Sequence, residues 1–131
     1  MTGKHLYDFL MNVIKLDPVY RDLPVKLEMH DGEIDPSADT RGADWAYAWD
    51  NGTGIDGIMI LCLTRSDIVH TTAGELADAL ASEPDYHNLP VRLESYEGEV
   101  NPLIGERTCI ASAIKRADGR LCAILLTRTD R

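Results

Sequence analysis

Two stretches of the chain repeat each other. Leu23 to Pro36 reads LPVKLEMHDGEIDP and Leu89 to Pro102 reads LPVRLESYEGEVNP. Eight of these 14 positions are identical, and four more are Lys/Arg, Asp/Glu, Ile/Val and Asp/Asn exchanges. LTRSD at Leu63 to Asp67 returns as LTRTD at Leu126 to Asp130, so order is kept along with the motifs. Self-similarity at a fixed period constrains a fold more than any local propensity. The chain of 131 residues therefore reads as a tandem duplication, with repeats at 1–67 and 68–131. A unit of about 65 residues alone would bury only about 60% of its unfolded surface, so the two repeats are expected to share one core.

Each repeat opens with a threonine and a helical pattern. Leu6, Phe9, Leu10, Val13 and Ile14 fall at i, i+3, i+4, i+7 and i+8, which is one apolar helix face. Leu76, Ala79 and Leu80 make a shorter stripe, and Thr72 with Glu75 has capping-box spacing. The first helix is expected to be about one turn longer, and Pro18 and Pro84 mark the exits. A strand follows in which Val25, Leu27 and Met29 alternate with Lys26 and Glu28, matched by Val91, Leu93 and Ser95 with Arg92 and Glu94. That period of two predicts one buried and one wet face. Asp31-Gly32 and Glu97-Gly98 supply turns, glycine taking positive φ at little cost. A second strand is predicted near Trp45 to Trp49 and near Thr108 to Lys115. The continuous apolar runs Ile58 to Leu63 and Leu121 to Leu126 predict interior strands covered on both faces. Ser66 to Thr71 is the linker. The fold class is thus α+β: two αβββ units about a pseudo-twofold axis, with antiparallel sheets and both helices packed on one face.

Composition narrows the function. Thirteen Lys+Arg against 22 Asp+Glu give a net charge of −9, which repels phosphate backbones and argues against direct nucleic-acid binding. An acidic surface suits a basic protein partner or imitation of nucleic acid. Met1 to Tyr20 contains no uninterrupted apolar stretch of a signal peptide, and no apolar run approaches the roughly 18 residues of a membrane span. Cys62, Cys109 and Cys122 are odd in number, lie in apolar stretches and lack metal-ligand spacing, as expected of buried thiols in a reducing cytoplasm.

No helical HExxH, GxSxG, P-loop or GxGxxG occurs, and His5, His30, His70 and His87 have no counterpart in the other repeat. No catalytic residue, metal ligand or cofactor is assigned. Asp31, Glu33, Asp35 and Asp39 imitate the alternating oxygens of an EF-hand, but Pro36 and Gly42 stand where its glycine and terminal glutamate belong, and a solvated turn is the better reading.

The polar residues kept in both repeats are Glu28/Glu94, Glu33/Glu99, Thr64/Thr127, Arg65/Arg128 and Asp67/Asp130. Opposite charges paired across strands of a solvated sheet face explain the Glu and Arg economically. The functional alternative is a pair of anion sites at the repeat interface, built from Arg65, Arg128, Glu28 and Glu94, because guanidinium grips carboxylate or phosphate in a bidentate manner. The repeats differ most in aromatics. Trp45, Tyr47 and Trp49 are spaced two apart, and an offset of 66 sets Ala111, Ala113 and Lys115 against them. Either they fill core volume or they form an exposed anchor, as Trp and Tyr do at protein interfaces. Bordered by Asp39, Asp44 and Asp50, that strand would suit a basic partner, and residues 1–67 carry net −6 against −3 for 68–131.

Leu23-Pro24-Val25 and Leu89-Pro90-Val91, with the helix before, the glycine turn after and the final apolar strand, resemble small uncharacterised proteins encoded by bacteria, especially actinobacteria, and by their phages. The resemblance implies a size class and a context. Small acidic phage proteins often block host factors, which implies an inhibitor or adaptor. A non-enzymatic binding protein is accordingly the expected function.

Overall fold

The computed structural model describes residues 1–49, 60–99 and 108–129. Helix α1 (Gly3–Leu16) and helix α2 (Ala73–Ser82) have 14 and 10 residues, the difference of one turn that the apolar stripes predict. Both begin in a capping box. Glu75 N donates to Thr72 Oγ1 at 3.2 Å while Thr72 N donates to Glu75 Oε1 at 3.1 Å. At α1 the same reciprocal pair uses Thr2 with His5, whose Nδ1 accepts from Thr2 N at 3.2 Å. Pro18 and Pro84 do end the helices, and each also opens a short 3₁₀ helix, Pro18–Asp22 and Pro84–Asn88. Proline suits a first helical position because its fixed φ is already helical and its missing N–H has no partner there.

The described residues also form six strands: β1 (Val25–Glu28), β2 (Gly42–Trp49), β3 (Ile60–Ser66), β4 (Val91–Glu94), β5 (Thr108–Lys115) and β6 (Leu121–Thr129). They form two three-stranded sheets, β1-β6-β5 and β2-β3-β4. Each sheet therefore takes strands from both halves of the chain. β1 runs parallel to β6, with Val25 beside Ile124 and Leu27 beside Leu126. β4 runs parallel to β3, with Val91 beside Leu61 and Leu93 beside Leu63. The other pair in each sheet, β5 with β6 and β2 with β3, is antiparallel.

The expectation of wholly antiparallel sheets is thus corrected: both are mixed. The cause lies in the continuous apolar runs. Strands buried on both faces are what a parallel neighbour requires, and Ile60 to Leu63 and Ala123 to Leu126 are all buried at the centres of their sheets. Gly32 and Gly98, at φ 79° and 87°, turn the chain out of β1 and β4 and away from a hairpin with the next strand.

One core serves both sheets and both helices. It joins Leu6 and Leu10 of α1, Leu76 and Leu80 of α2, and the inward residues of β1, β3, β4 and β6. The predicted wet face of β1 is the second correction, since Lys26 is 8% exposed and Glu28 only 2%. Alternation places them opposite the core, but that side is covered too. Lys26 Nζ donates to the carbonyls of Asp39 at 2.7 Å and Arg41 at 2.9 Å, stapling the approach to β2 onto β1. Glu28 accepts a hydrogen bond from Thr127 Oγ1 at 2.6 Å. Its counterpart Glu94 is 5% exposed and accepts from Thr64 Oγ1 at 2.7 Å. No helix among the described residues is long and apolar enough to cross a membrane.

Candidate functional site

The Glu, Thr and Arg residues kept in both repeats pair with one another, though not as a solvated ladder of Glu and Arg, while Asp67 is exposed and Asp130 lies outside the described residues. Arg65, on β3, reaches from one sheet to the end of the other, where Nη2 donates to Leu27 O at 3.1 Å and to Glu33. Glu33 also accepts from Met29 N at 2.7 Å, which closes the Gly32 turn. Arg128, on β6, donates to Glu99 at 3.1 Å, and Glu99 accepts from Ser95 N at 2.8 Å and Ser95 Oγ at 2.9 Å. The arginine side chains are only 8% and 10% exposed. Their charge is therefore engaged by carboxylates of the chain itself, and Glu28 and Glu94 are engaged by threonines.

These carboxylates should make the protein acid-sensitive. For Glu33, burial raises the pKa but is outweighed by Arg65 and the Met29 amide, so it lies below its usual value. For Glu99, burial is likewise outweighed, here by the Ser95 amide and hydroxyl and by Arg128. Asp39 falls to about 2, chiefly through the Arg41 guanidinium and against burial. A carboxylate with a lowered folded pKa stabilises the fold above its unfolded pKa of about 4 and loses that contribution as pH falls through the folded value. The thermal midpoint should be flat from about pH 8 to about pH 5 and then fall steadily toward about pH 2. A Glu33→Gln, Glu99→Gln double variant should start lower at neutral pH and decline less on acidification. An unchanged slope in that variant would clear these two carboxylates of the effect.

The acidic loop that imitates an EF-hand is spent on local contacts. Asp39 makes a two-pronged ion pair with Arg41 at 2.7 and 3.2 Å, and Asp35 accepts from Ser37 N at 3.0 Å and Ser37 Oγ at 2.7 Å. Among the described residues no group of three or more His, Cys, Asp or Glu could hold a metal ion.

Of the aromatic strand, Trp45 is half-buried and packs against the core. The spacing of two is not carried through the backbone pairing: Trp45 lies opposite Leu63, the register shifts after Ala46, and Trp49 lies opposite Ile60. The side chains of Tyr47 and Trp49, and the whole of Asp50, lie outside the described residues. Asp44 is exposed, and its Oδ1 accepts from Trp45 N at 2.8 Å.

Asp44 and Trp45 also belong to a groove of about 280 Å³ on the sheet β2-β3-β4, with Cys62, Thr64, Glu94 and Glu97 among its other walls. Asp44, Cys62, Thr64 and Glu94 occupy the strand positions alternate to the core residues Ala43, Leu61, Leu63 and Leu93, so the groove opens on the face turned from the core. Among the described residues three carboxylates line it and no cationic residue does. Burial foremost, and then the Glu94 charge, push the Cys62 thiol up to about 12, so it stays protonated at neutral pH and is no nucleophile. At corresponding positions on the sheet β1-β6-β5, a hollow of about 450 Å³ is lined by His30, Asp31, Ile110, Thr127, Arg128 and Thr129. Ile110 stands there in place of Asp44, so the two faces differ in charge. Sequence reasoning found Asp44 and Trp45 but missed Glu97 and the groove, whose walls come from three strands and a turn separated by up to about fifty residues along the chain. Comparison with protein-family models, curated proteins and solved structures finds no match for this chain.

Proposed function

We propose that this chain is a non-enzymatic binding protein that engages a basic protein partner through the acidic groove on the β2-β3-β4 sheet. The observation that carries the reading is the lining: Asp44, Glu94 and Glu97 border one concavity, and its described lining residues are otherwise uncharged. Such a groove favours a lysine or arginine side chain, which gains from the carboxylates. In its sharpest form the protein is a phage-type inhibitor of a host protein that handles nucleic acid, with carboxylates standing where phosphates would. The net charge of −9 supports that form, and three free cysteines support a cytoplasmic setting. The anion-binding alternative has less support, because Arg65 and Arg128 already hold Glu33 and Glu99.

The same reading takes the chain as two αβββ repeats, 1–67 and 68–131, about a pseudo-twofold axis. What supports it is correspondence in detail: two threonine-led capping boxes, glycines of positive φ after β1 and β4, and two Thr–Glu pairs between parallel strands.

Calorimetric titration with a Lys/Arg-rich peptide, beside an Asp/Glu-rich peptide of equal length, tests the groove. The basic peptide should bind, weaken as salt is added, and lose at least about tenfold in affinity in an Asp44→Asn, Glu97→Gln variant, about 1.4 kcal/mol. Both side chains are exposed, so the fold should be kept. Equal binding by the variant would remove the groove as the site.

A further inference from the structure

In each sheet one strand pairing joins residues before position 67 to residues after position 70. β1 pairs with β6 and β4 with β3. Around them Gly3 N donates to Leu89 O at 2.9 Å, Val91 N to Met1 O at 3.0 Å and Ala73 N to Leu23 O at 2.9 Å. Thr127 Oγ1 reaches Glu28 at 2.6 Å and Thr64 Oγ1 reaches Glu94 at 2.7 Å. The tether between the two sets is Asp67, Ile68, Val69 and His70, all exposed, with Ile68 at 87%. Within it the amides of Ile68 and Val69 donate to Ser66 Oγ at 3.1 and 2.9 Å, and the Val69 carbonyl and His70 pack against Gly42 of β2.

We infer that a second copy of this chain is a competent partner for this internal surface, the two chains exchanging halves across residues 67–70 to form an intertwined dimer. None of the contacts above depends on whether its two sides belong to one chain. An exchanged dimer therefore keeps every one of them twice and alters only the path of the tether, which is the low-cost route of domain swapping. A short tether holds the halves at an effective concentration in the millimolar range, so dilute folding gives the monomer and concentrated folding gives the dimer. Interconversion of folded species requires both sheets to open, which makes either form persistent once made.

The test is to unfold the native chain, refold it at concentrations from about 10 μM to about 1 mM, dilute every sample to the same value and record native mass spectra. Because exchange is bimolecular and closure unimolecular, the dimer-to-monomer ratio should rise about a hundredfold over that range and survive dilution. Folded monomer concentrated without unfolding should remain monomer. A chain lacking Ile68 and Val69 should be mainly dimeric even when refolded dilute. Monomer at every refolding concentration overturns the inference. So does a dimer that forms as readily from folded monomer and falls apart on dilution, because that is surface association. Should the shortened chain fail to fold, the native series decides the matter alone.

Discussion

A Leu126→Ala chain should be less stable than the native protein by about 2–5 kcal/mol, the usual cost of truncating a fully buried leucine. Leu126 is wholly buried on the central strand β6, beside Leu27 of β1 on one side and Ala111 of β5 on the other. Its neighbours thus come from both ends of the chain, and no small adjustment of one strand can fill the space left. The loss should also appear as one transition. The core holds β3 and β4 together with β1 and β6, so both sheets should go at the same denaturant concentration, whether followed by far-ultraviolet or near-ultraviolet circular dichroism. Two separate transitions would show that the sheets are independent units and that the shared core is wrong.

The second large effect concerns a polar contact. Thr127→Val keeps the side-chain shape but removes the hydroxyl that Glu28 accepts from at 2.6 Å, with Glu28 2% and Thr127 7% exposed. A carboxylate left buried without that donor should cost about 1.5–3 kcal/mol. Thr64→Val, at the corresponding pair with Glu94, should cost less, because Thr64 is only half-buried and borders the groove. Adding Glu28→Leu to Thr127→Val should recover much of the loss, since replacing both partners of a buried polar pair by apolar groups is often near neutral. Chemical unfolding of the three variants checks the order. If Thr127→Val costs no more than Thr64→Val, the buried pair does not have the weight given to it here.

These two sites show what the sequence discloses and what it conceals. Helix lengths, the threonine caps, the turn glycines and the central position of β3 and β6 are local matters, set by apolar spacing, capping residues and positive φ, and they are legible along the chain. Strand partners are not, because a period of two tells which residues share a face but not which strand lies alongside. The parallel pairing of β1 with β6 joins residues about a hundred positions apart. The same gap in information misplaced Lys26 and Glu28. Their alternation with Val25 and Leu27 is real, yet the face they occupy is covered by the carbonyls of Asp39 and Arg41 and by Thr127. Arg65 and Arg128 stand out by repetition alone, but repetition cannot distinguish a ligand grip from an internal tie to Glu33 and Glu99. The groove was half visible. Asp44 and Trp45 are neighbours in sequence, whereas Thr64 joins them only once β2 and β3 pair, and Glu94 and Glu97 only once β3 and β4 pair.

The most direct measurement on the central claim is a titration of isotopically labelled protein with a Lys/Arg-rich peptide, followed by amide chemical shifts. The account predicts movement at Asp44, Trp45, Thr64, Glu97 and Gly98, little change around His30 and Ile110 on the other sheet, and no response to an Asp/Glu-rich peptide. Shifts centred on the opposite sheet, or the same shifts with the acidic peptide, would contradict it.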